Sequence, residues 1–326
     1  MRGAARDAAT SVSAQLMRRW QAIDPLLPRP EVPQPGCGTE LVVAGADGQP
    51  VAIGTCEHWE GAAGSLDLTW GAARRFRLTP SIAGPDVASA LDQLLSLWRD
   101  HLRDHLRDQR ADILPAADGD TAAVVSWPSR DVDGVQILFR HGFAPLAVIA
   151  ARATSHRAVG ASAPDVRIRR AAPSDIDAIA ALGLEVVRFD AHFGSVIERP
   201  ETAAALRREA AGLLAEPQPW TWLAERDGTA IGMLSAERPE AAGWIAPMAR
   251  PSPVAYLSLM FVQPGERGTG VGAALVARLH QQVQAAGVAV TLLHYAQLNP
   301  LSASFWSQQG YRPLWTTWEA QPGVIR

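Results

Sequence analysis

The chain contains no lysine: all 30 of its basic side chains are arginine. Without a Gly-Lys-Ser/Thr triplet, a triphosphate-binding loop is excluded. An excess of either charge is also missing, since 33 acidic residues leave a formal net charge of −3. No electrostatic case exists for a nucleic-acid or anionic membrane partner. Cysteine is scarce, and Cys37 and Cys56 make neither a disulfide framework nor a zinc set, so no metal is expected. No apolar run reaches the roughly 18 residues that a membrane span needs. The first residues, Met1 to Asp7, lack an apolar signal core, so a cytoplasmic location is expected. A Gly-x-Ser-x-Gly elbow is absent, which leaves nucleophilic hydrolysis without an anchor. What remains is 326 residues, 48% hydrophobic and 19% charged, enough for two ordered domains.

The most informative stretch runs Val262-Gln263-Pro264-Gly265-Glu266-Arg267-Gly268-Thr269-Gly270-Val271-Gly272. It follows a strand-like segment from Tyr256 to Val262 and opens into a helix-like one from Ala273 to Ala285. Glycines at a strand-to-helix turn leave backbone N–H groups unshielded, and the helix dipole adds partial positive charge. Arg267 adds a fixed cation, so the turn reads as a diphosphate cradle. The glycines fall two apart, which does not fit the Gly-x-Gly-x-x-Gly of a dinucleotide fingerprint. About thirty residues on, a strand-like Val288 to Tyr295 leads into Asn299-Pro300-Leu301-Ser302-Ala303-Ser304-Phe305-Trp306-Ser307-Gln308-Gln309-Gly310-Tyr311.

Arg-x-x-Gly-x-Gly after a Val-x-Pro strand, followed by this second block, resembles the acetyl-CoA signature of the Gcn5-related N-acetyltransferases (GNAT). The resemblance covers 165–320 well and 40–152 weakly. It implies acetyl-CoA as co-substrate, held at Arg267, Gly268, Thr269, Gly270, Val271 and Gly272. It further implies that the backbone of Met260 and Val262 holds the pantetheine, that an N–H near Phe261 polarises the thioester carbonyl, and that Asn299 contacts the pantetheine arm or the substrate. Trp306 stands where the family often has an acid tyrosine, and an indole N–H is no practical acid. The usual glutamate base is missing as well, with Tyr256 or Ser258 in its place. A water relay through His294 or Glu237 is the expected substitute. The candidate catalytic residues are therefore His294, Tyr256 and Trp306.

The N-terminal half carries a faded copy of the same pattern. Leu78-Thr79-Pro80 and Val87 to Leu91 align with Val262-Gln263-Pro264 and Val271 to Leu275 at a constant offset of 184 residues. Gly142-Phe143 aligns with Gly310-Tyr311 at an offset of 168. In the copy Ala83 replaces Arg267, Asp86 replaces Gly270 and Ala88 replaces Gly272, so a carboxylate faces the place of a diphosphate. The expected architecture is α/β with a mixed sheet, in two tandem GNAT-like lobes: a degenerate one at 1–153, a linker at 154–164 and a catalytic one at 165–326. In layout this resembles tandem GNAT proteins such as the mycothiol synthase group, although no residues transfer that substrate.

Within the first lobe the patterning predicts a helix near 5–22, a Pro-rich connector over 25–35 and strands at 40–46 and 50–59. A helix over about 85–110 follows, with Pro at its first turn and the stripe Leu91, Leu94, Trp98, Leu102, Leu106. His101 and His105 share a face of that helix but lie among Asp–Arg pairs, as on a solvated surface. The second lobe predicts a strand at 166–171, helices at 174–192 and 201–215, a hairpin around Asp227-Gly228 and a last strand at 314–319. Phe189, Asp190, His192 and Phe193 could line an acceptor pocket or simply end a helix, and Trp244 could lid the pocket or cover the sheet. The function implied is acetyl transfer to a small-molecule or peptide amine by a monomer or homodimer. An acetyl-CoA sensor without turnover and an interaction scaffold are the alternatives.

Overall fold

The computed structural model describes residues 2–30, 39–109, 120–156, 163 and 165–323. Cys37, the side chains of His105 and Leu106, residues 31–35 of the expected connector and 157–162 and 164 of the expected linker lie outside the described residues. The fold is mixed α/β, in two compact units that interleave along the chain. The first draws on Met1–Gly61, Ala72–Ala147 and Leu314–Arg326, the second on Ala62–Gly71 and Val148–Pro313.

The first unit contains α1 (Arg2–Ile23), β1 (Thr39–Ala44), β2 (Pro50–Glu60), β3 (Arg74–Ile82), α2 (Val87–Gln109), β4 (Thr121–Pro128), α3 (Val135–Arg140) and, from the end of the chain, β11 (Arg312–Ala320). Its strands run in the order β1-β2-β3-β4-β11. β1, β2 and β3 are antiparallel neighbours, whereas α2 carries the chain over to a β4 parallel to β3. The apolar stripe read from sequence faces this sheet. Leu91, Leu94, Trp98 and Leu102 are buried against Phe76, Leu78, Ala123 and Val125. The helix begins at Val87 rather than at Pro85, because Asp86 accepts from the Ser89 N–H (3.0 Å). Pro80 lies inside β3, opposite Gly54, and does not end it as the aligned repeat suggests. Pairing to β2 continues through Ile82, so the turn into α2 is shorter than its counterpart.

The second unit contains most of β5 (Ala144–Ala153), then β6 (Arg167–Arg170), α4 (Ile176–Asp190), α5 (Thr202–Leu214), β7 (Thr221–Arg226), β8 (Thr229–Glu237), β9 (Val254–Val262), α6 (Val271–Ala285), β10 (Val290–Ala296) and α7 (Ser302–Gln308). The strand order is β5-β10-β9-β8-β7-β6. α6 buries Val271, Leu275, Val276, Leu279 and Val283 on one face of the sheet, and α4 with α5 covers the other. A turn at Leu66–Trp70 also belongs here, held where Arg199 donates to the Leu68 carbonyl (2.7 Å) and Thr69 bonds Thr202 (3.1 Å).

The last strand departs from the contiguous lobes expected from sequence. β11 pairs antiparallel with β4, from Trp315↔Pro128 to Ala320↔Ala123, and buries Trp318 in the first core. Its alternation marks a half-buried strand but carries no information about which sheet edge receives it.

Under α6 the second unit buries an unusual set of polar rings. His280 is 4% exposed, with its Nε2 3.4 Å from the Tyr311 hydroxyl. Burial, with Arg152 and His156 nearby, pushes its pKa down to about 3. Below pH 6.5 the unfolded chain takes up a proton here that the folded chain refuses until about pH 3, so this contribution to stability is lost as pH falls through that window. His280→Gln should therefore flatten the acid limb of stability measured by urea unfolding. An unchanged slope below pH 6.5 would show that the ring is not held neutral.

Candidate functional site

β9 carries one residue more than β8 requires. Ser235 pairs with Leu259 and Ala236 with Leu257, which leaves Ser258 as a bulge, its hydroxyl bonded to the Ser235 carbonyl (3.1 Å). The bulge reverses the strand's faces. Before it Ala255 and Leu257 face the α6 side; after it Met260 and Val262 do, while Leu259 and Phe261 turn to α4. Pairing with parallel β10 runs from Val254↔Val290 to Leu257↔Leu293 and stops there. A notch opens between the two strands from that vertex.

The free edge of β9 follows from hydrogen-bond phase. Gln263 N–H bonds the Ile231 carbonyl on β8 (2.9 Å). Phe261, two residues back, turns its backbone the same way, and Met260 and Val262 turn theirs into the notch. The backbone of Met260 and Val262 thus faces away from β8. The N–H of Phe261 itself faces Met233 of β8, and its ring is buried against α4.

The glycine-rich turn closes the far end of the notch. A 3-10 turn at Pro264–Glu266 is pinned by Arg226 on the Glu266 carboxylate (2.6 and 2.8 Å) and by Thr269 Oγ1 on the Glu266 carbonyl (2.7 Å). Gly268 (φ 80°) and Gly270 (φ 93°) adopt backbone that side-chain-bearing residues avoid. Gly270 is the N-cap of α6 and supplies no capping side chain. The first intrahelical bond is Ala274 N–H to the Gly270 carbonyl (3.0 Å), so the N–H groups of Val271, Gly272 and Ala273 have no partner within the helix. At Gly272 an added Cβ would come within 2.9 Å of Met260 Cε, which marks a close approach of helix to strand.

Arg267 folds back over the notch. Its Nε donates to the Val262 carbonyl (3.2 Å), and its guanidinium lies 4.8 Å from the centre of Phe189 and 5.7 Å from that of Phe261. Asn299 is buried, with its amide donating to Asp190 (2.9 Å) and its carbonyl accepting from the Leu301 N–H (3.0 Å). The end of α4 thereby touches both sides of the notch, through Phe189 and through Asp190. His192 bonds its own helix end at the Arg188 carbonyl (2.9 Å), and Phe193 packs edge-on to Phe189.

Four side chains converge at the vertex. Tyr256 hydroxyl and His294 Nδ1 are 3.0 Å apart; which is the donor depends on the assigned tautomer. Trp244 stands edge-on to Tyr256 (4.9 Å), lies parallel to His294 (6.3 Å) and donates its indole N–H to Glu237 (2.9 Å). Glu237 is directly opposite Tyr256 across β8 and β9. Its burial raises the carboxyl above its ordinary range, and the Trp244 bond only partly offsets this. The protein around His294 lowers its pKa to about 4 although the ring reaches solvent, and burial keeps the Tyr256 phenol protonated. Among the described residues, no group of three or more His, Cys, Asp or Glu side chains is disposed to hold a metal, and no helix is long and apolar enough to cross a membrane.

Trp306 does not join this cluster. It is 7% exposed in the core under α6, edge-on to Phe305 (4.9 Å) and Tyr311 (5.4 Å). What sequence reasoning missed is the bulge at Ser258 and the Asp190–Asn299 bond. Neither has a local signal, since both depend on strand register and on contacts between distant elements.

With this geometry in view, residues 189–311 match the model of the acetyltransferase (GNAT) family. Among solved structures, a GCN5-related N-acetyltransferase from Sphaerobacter thermophilus is similar at 12% identity and TM-score 0.54, covering 96% of this chain and 87% of that one. Another, from Kribbella flavida, is 15% identical with TM-score 0.42, over 96% and 94%. A tandem GNAT protein from the clavulanic acid biosynthesis pathway is 14% identical with TM-score 0.44, over 95% of each chain. No curated protein matches the chain. The fold is thus that of the GNAT acetyltransferases, which supports acyl transfer in general.

Because Trp306 is a packing residue, Trp306→Ala should cost about 3–5 kcal/mol of stability in chemical denaturation, as for other buried large-to-small changes. Trp306→Tyr should cost much less. Equal and small losses for both would mean that the indole is not part of the core.

Proposed function

We propose that the second unit transfers an acetyl group from acetyl-CoA to a primary amine, by direct attack of the amine nitrogen on the thioester. The observation that carries this reading is the free edge of β9. The outward backbone of Met260 and Val262 leads from the uncapped start of α6 to the vertex where Glu237, Trp244, Tyr256 and His294 meet. A pantetheine arm would add to that edge as a further strand, and its diphosphate would take the N–H groups of the turn between Gly268 and Gly272. Arg267 would then exchange the Val262 carbonyl for the diphosphate, which releases that carbonyl to the pantetheine. Asn299 would support the site by tying the turn before α7 to the end of α4.

In the reaction Glu237 accepts the proton of the substrate ammonium, directly or through one water. Burial raises its pKa toward working pH and makes it a better base than an ordinary carboxylate. The freed amine forms the C–N bond, and the carbonyl oxygen takes up the electron pair facing an N–H of the β9 edge. Collapse of the intermediate breaks the C–S bond; the leaving thiolate takes the Tyr256 proton, and the nitrogen, cationic since the attack, loses its second proton to water. Neutral His294 then relays a proton from solvent to the phenolate, while Glu237 releases its own. Tyr256 fills the acid role that Trp306 cannot, and the products are an amide and free CoA.

Gly270→Asp should abolish acetyl-CoA binding in calorimetry, because it sets a carboxylate against the diphosphate in backbone that favours glycine. Arg267→Ala should weaken binding by about 1.5–3 kcal/mol, the worth of a charge-assisted hydrogen bond. Wild-type affinity in either variant would remove the turn from the cofactor site.

A second expectation concerns the base. Glu237→Gln should lower kcat roughly 10²–10⁴-fold, remove the rising limb of the pH–rate profile and leave acetyl-CoA affinity unchanged. A thiol-release assay with a panel of amines reads this, and a variant with wild-type turnover would rule against Glu237.

A further inference from the structure

The first unit has the same opening as the second. β3 pairs with parallel β4 from Arg74↔Thr121 to Leu78↔Val125 and then parts from it, although β3 continues to Ile82 and β4 to Pro128. Gly84 (φ 85°) occupies the position of Gly268 at the offset of 184, and Asp131 that of Asn299 at the offset of 168. Asp131 even makes the same local bond, accepting from the N–H two residues on, as Asn299 does.

This opening is filled by α1. Leu16, Arg19 and Trp20 form one wall of a cavity whose other walls include Ile82 from β3, Trp127 from β4 and Asp131 beyond it. At the turn, the Gln15 side-chain oxygen accepts from the Gly84 N–H (3.0 Å), and Val12 packs on Ile53 and Ala83. At the other end Arg19 makes a two-pronged pair with Asp131, which is 3% exposed, and also reaches Asp133 (2.9 Å). Trp20 stands edge-on to Trp315 of β11 (5.1 Å). The start of α2 is occupied as well, by the carboxylate of Asp86.

We infer that the first unit is a helix-binding module made from a cofactor cleft, and that its ligand is α1 of the same chain. The helix touches both ends of the cleft, with Gln15 at the turn and Arg19 at the residue equivalent to Asn299. The ligand chemistry is an amphipathic helix with apolar side chains at i, i+4 and i+8 (Val12, Leu16, Trp20), flanked by a glutamine and an arginine four apart. A nucleotide thioester is disfavoured there by Asp86 at the helix start and by the absence of any cation at Ala83.

Hydrogen–deuterium exchange on the full chain tests this. Leu16→Asp should release α1 and raise exchange at 79–86 and 126–131 at least tenfold, with 256–272 unchanged and acetyl-CoA binding still one per chain. A synthetic peptide of residues 2–23, added in trans, should restore protection to those two segments, and a scrambled peptide should not. Should Leu16→Asp fail to fold, Arg19→Gln gives the milder form, with a smaller rise confined to the same segments. Unchanged exchange at 79–86 once α1 itself exchanges freely would overturn the inference. So would a second acetyl-CoA per chain in the unmodified protein.

Discussion

One extra residue in β9 governs the second unit. Where the bulge at Ser258 reverses the strand's faces, the parallel ladder to β10 ends, and backbone groups beyond it are left pointing into open space. Backbone N–H and C=O groups removed from their ladder must find other partners. Arg267 now serves one of them, the Val262 carbonyl, and does so while stacked on Phe189. The strand edge, the glycine turn and the end of α4 are therefore one linked arrangement. A ligand that takes the edge must displace the arginine, and the displaced guanidinium is a cation beside an uncapped helix start.

The two units solve the same physical problem in opposite ways. Both open a notch between parallel strands and aim a helix N-terminus at its end. In the first, Asp86 caps α2 and Gln15 takes the turn N–H, so side chains satisfy the exposed backbone. In the second, Gly270 caps α6 with nothing, which leaves the helix start to an outside anion. A carboxylate is as good a partner for a helix N-terminus as a phosphate is, but it is permanent. The side chains that replace glycine and arginine in the first unit thus go with an internal occupant of its notch, α1.

The side chains at the vertex are tuned by burial rather than by charge pairing. Glu237 has an indole N–H where many carboxylates have an arginine, so its pKa stays raised. Arginine is instead spent on the frame, as in Arg169 with Asp175 and Glu225, and Arg226 with Glu266. In a chain with no lysine, these two-pronged pairs hold the edge strands and the turn in place.

Much of the second unit was legible before any coordinates. The spacing of Arg267, Gly270 and Gly272 after a Val-x-Pro strand identified the turn, and the stripe on α2 identified the helix that faces the first sheet. Such patterns are local, because glycine at positive φ and apolar periodicity are imposed by a few neighbouring residues. The Tyr256–His294 pair could be suspected from residue type, but its 3.0 Å contact needs β9 and β10 in register. Asn299 and Trp306 stand out by position in a motif, but their burial and the bond from Asn299 to Asp190 became visible only in the fold. The exchange of β11 into the first sheet and the lodging of α1 in the first notch were invisible, since a strand or an amphipathic helix shows that it has a buried face without naming the surface that covers it. Sequence alone determined which turns and periodicities the chain would adopt. Which edges remained open, and what filled them, was decided only when distant segments competed for the same apolar and hydrogen-bonding surface.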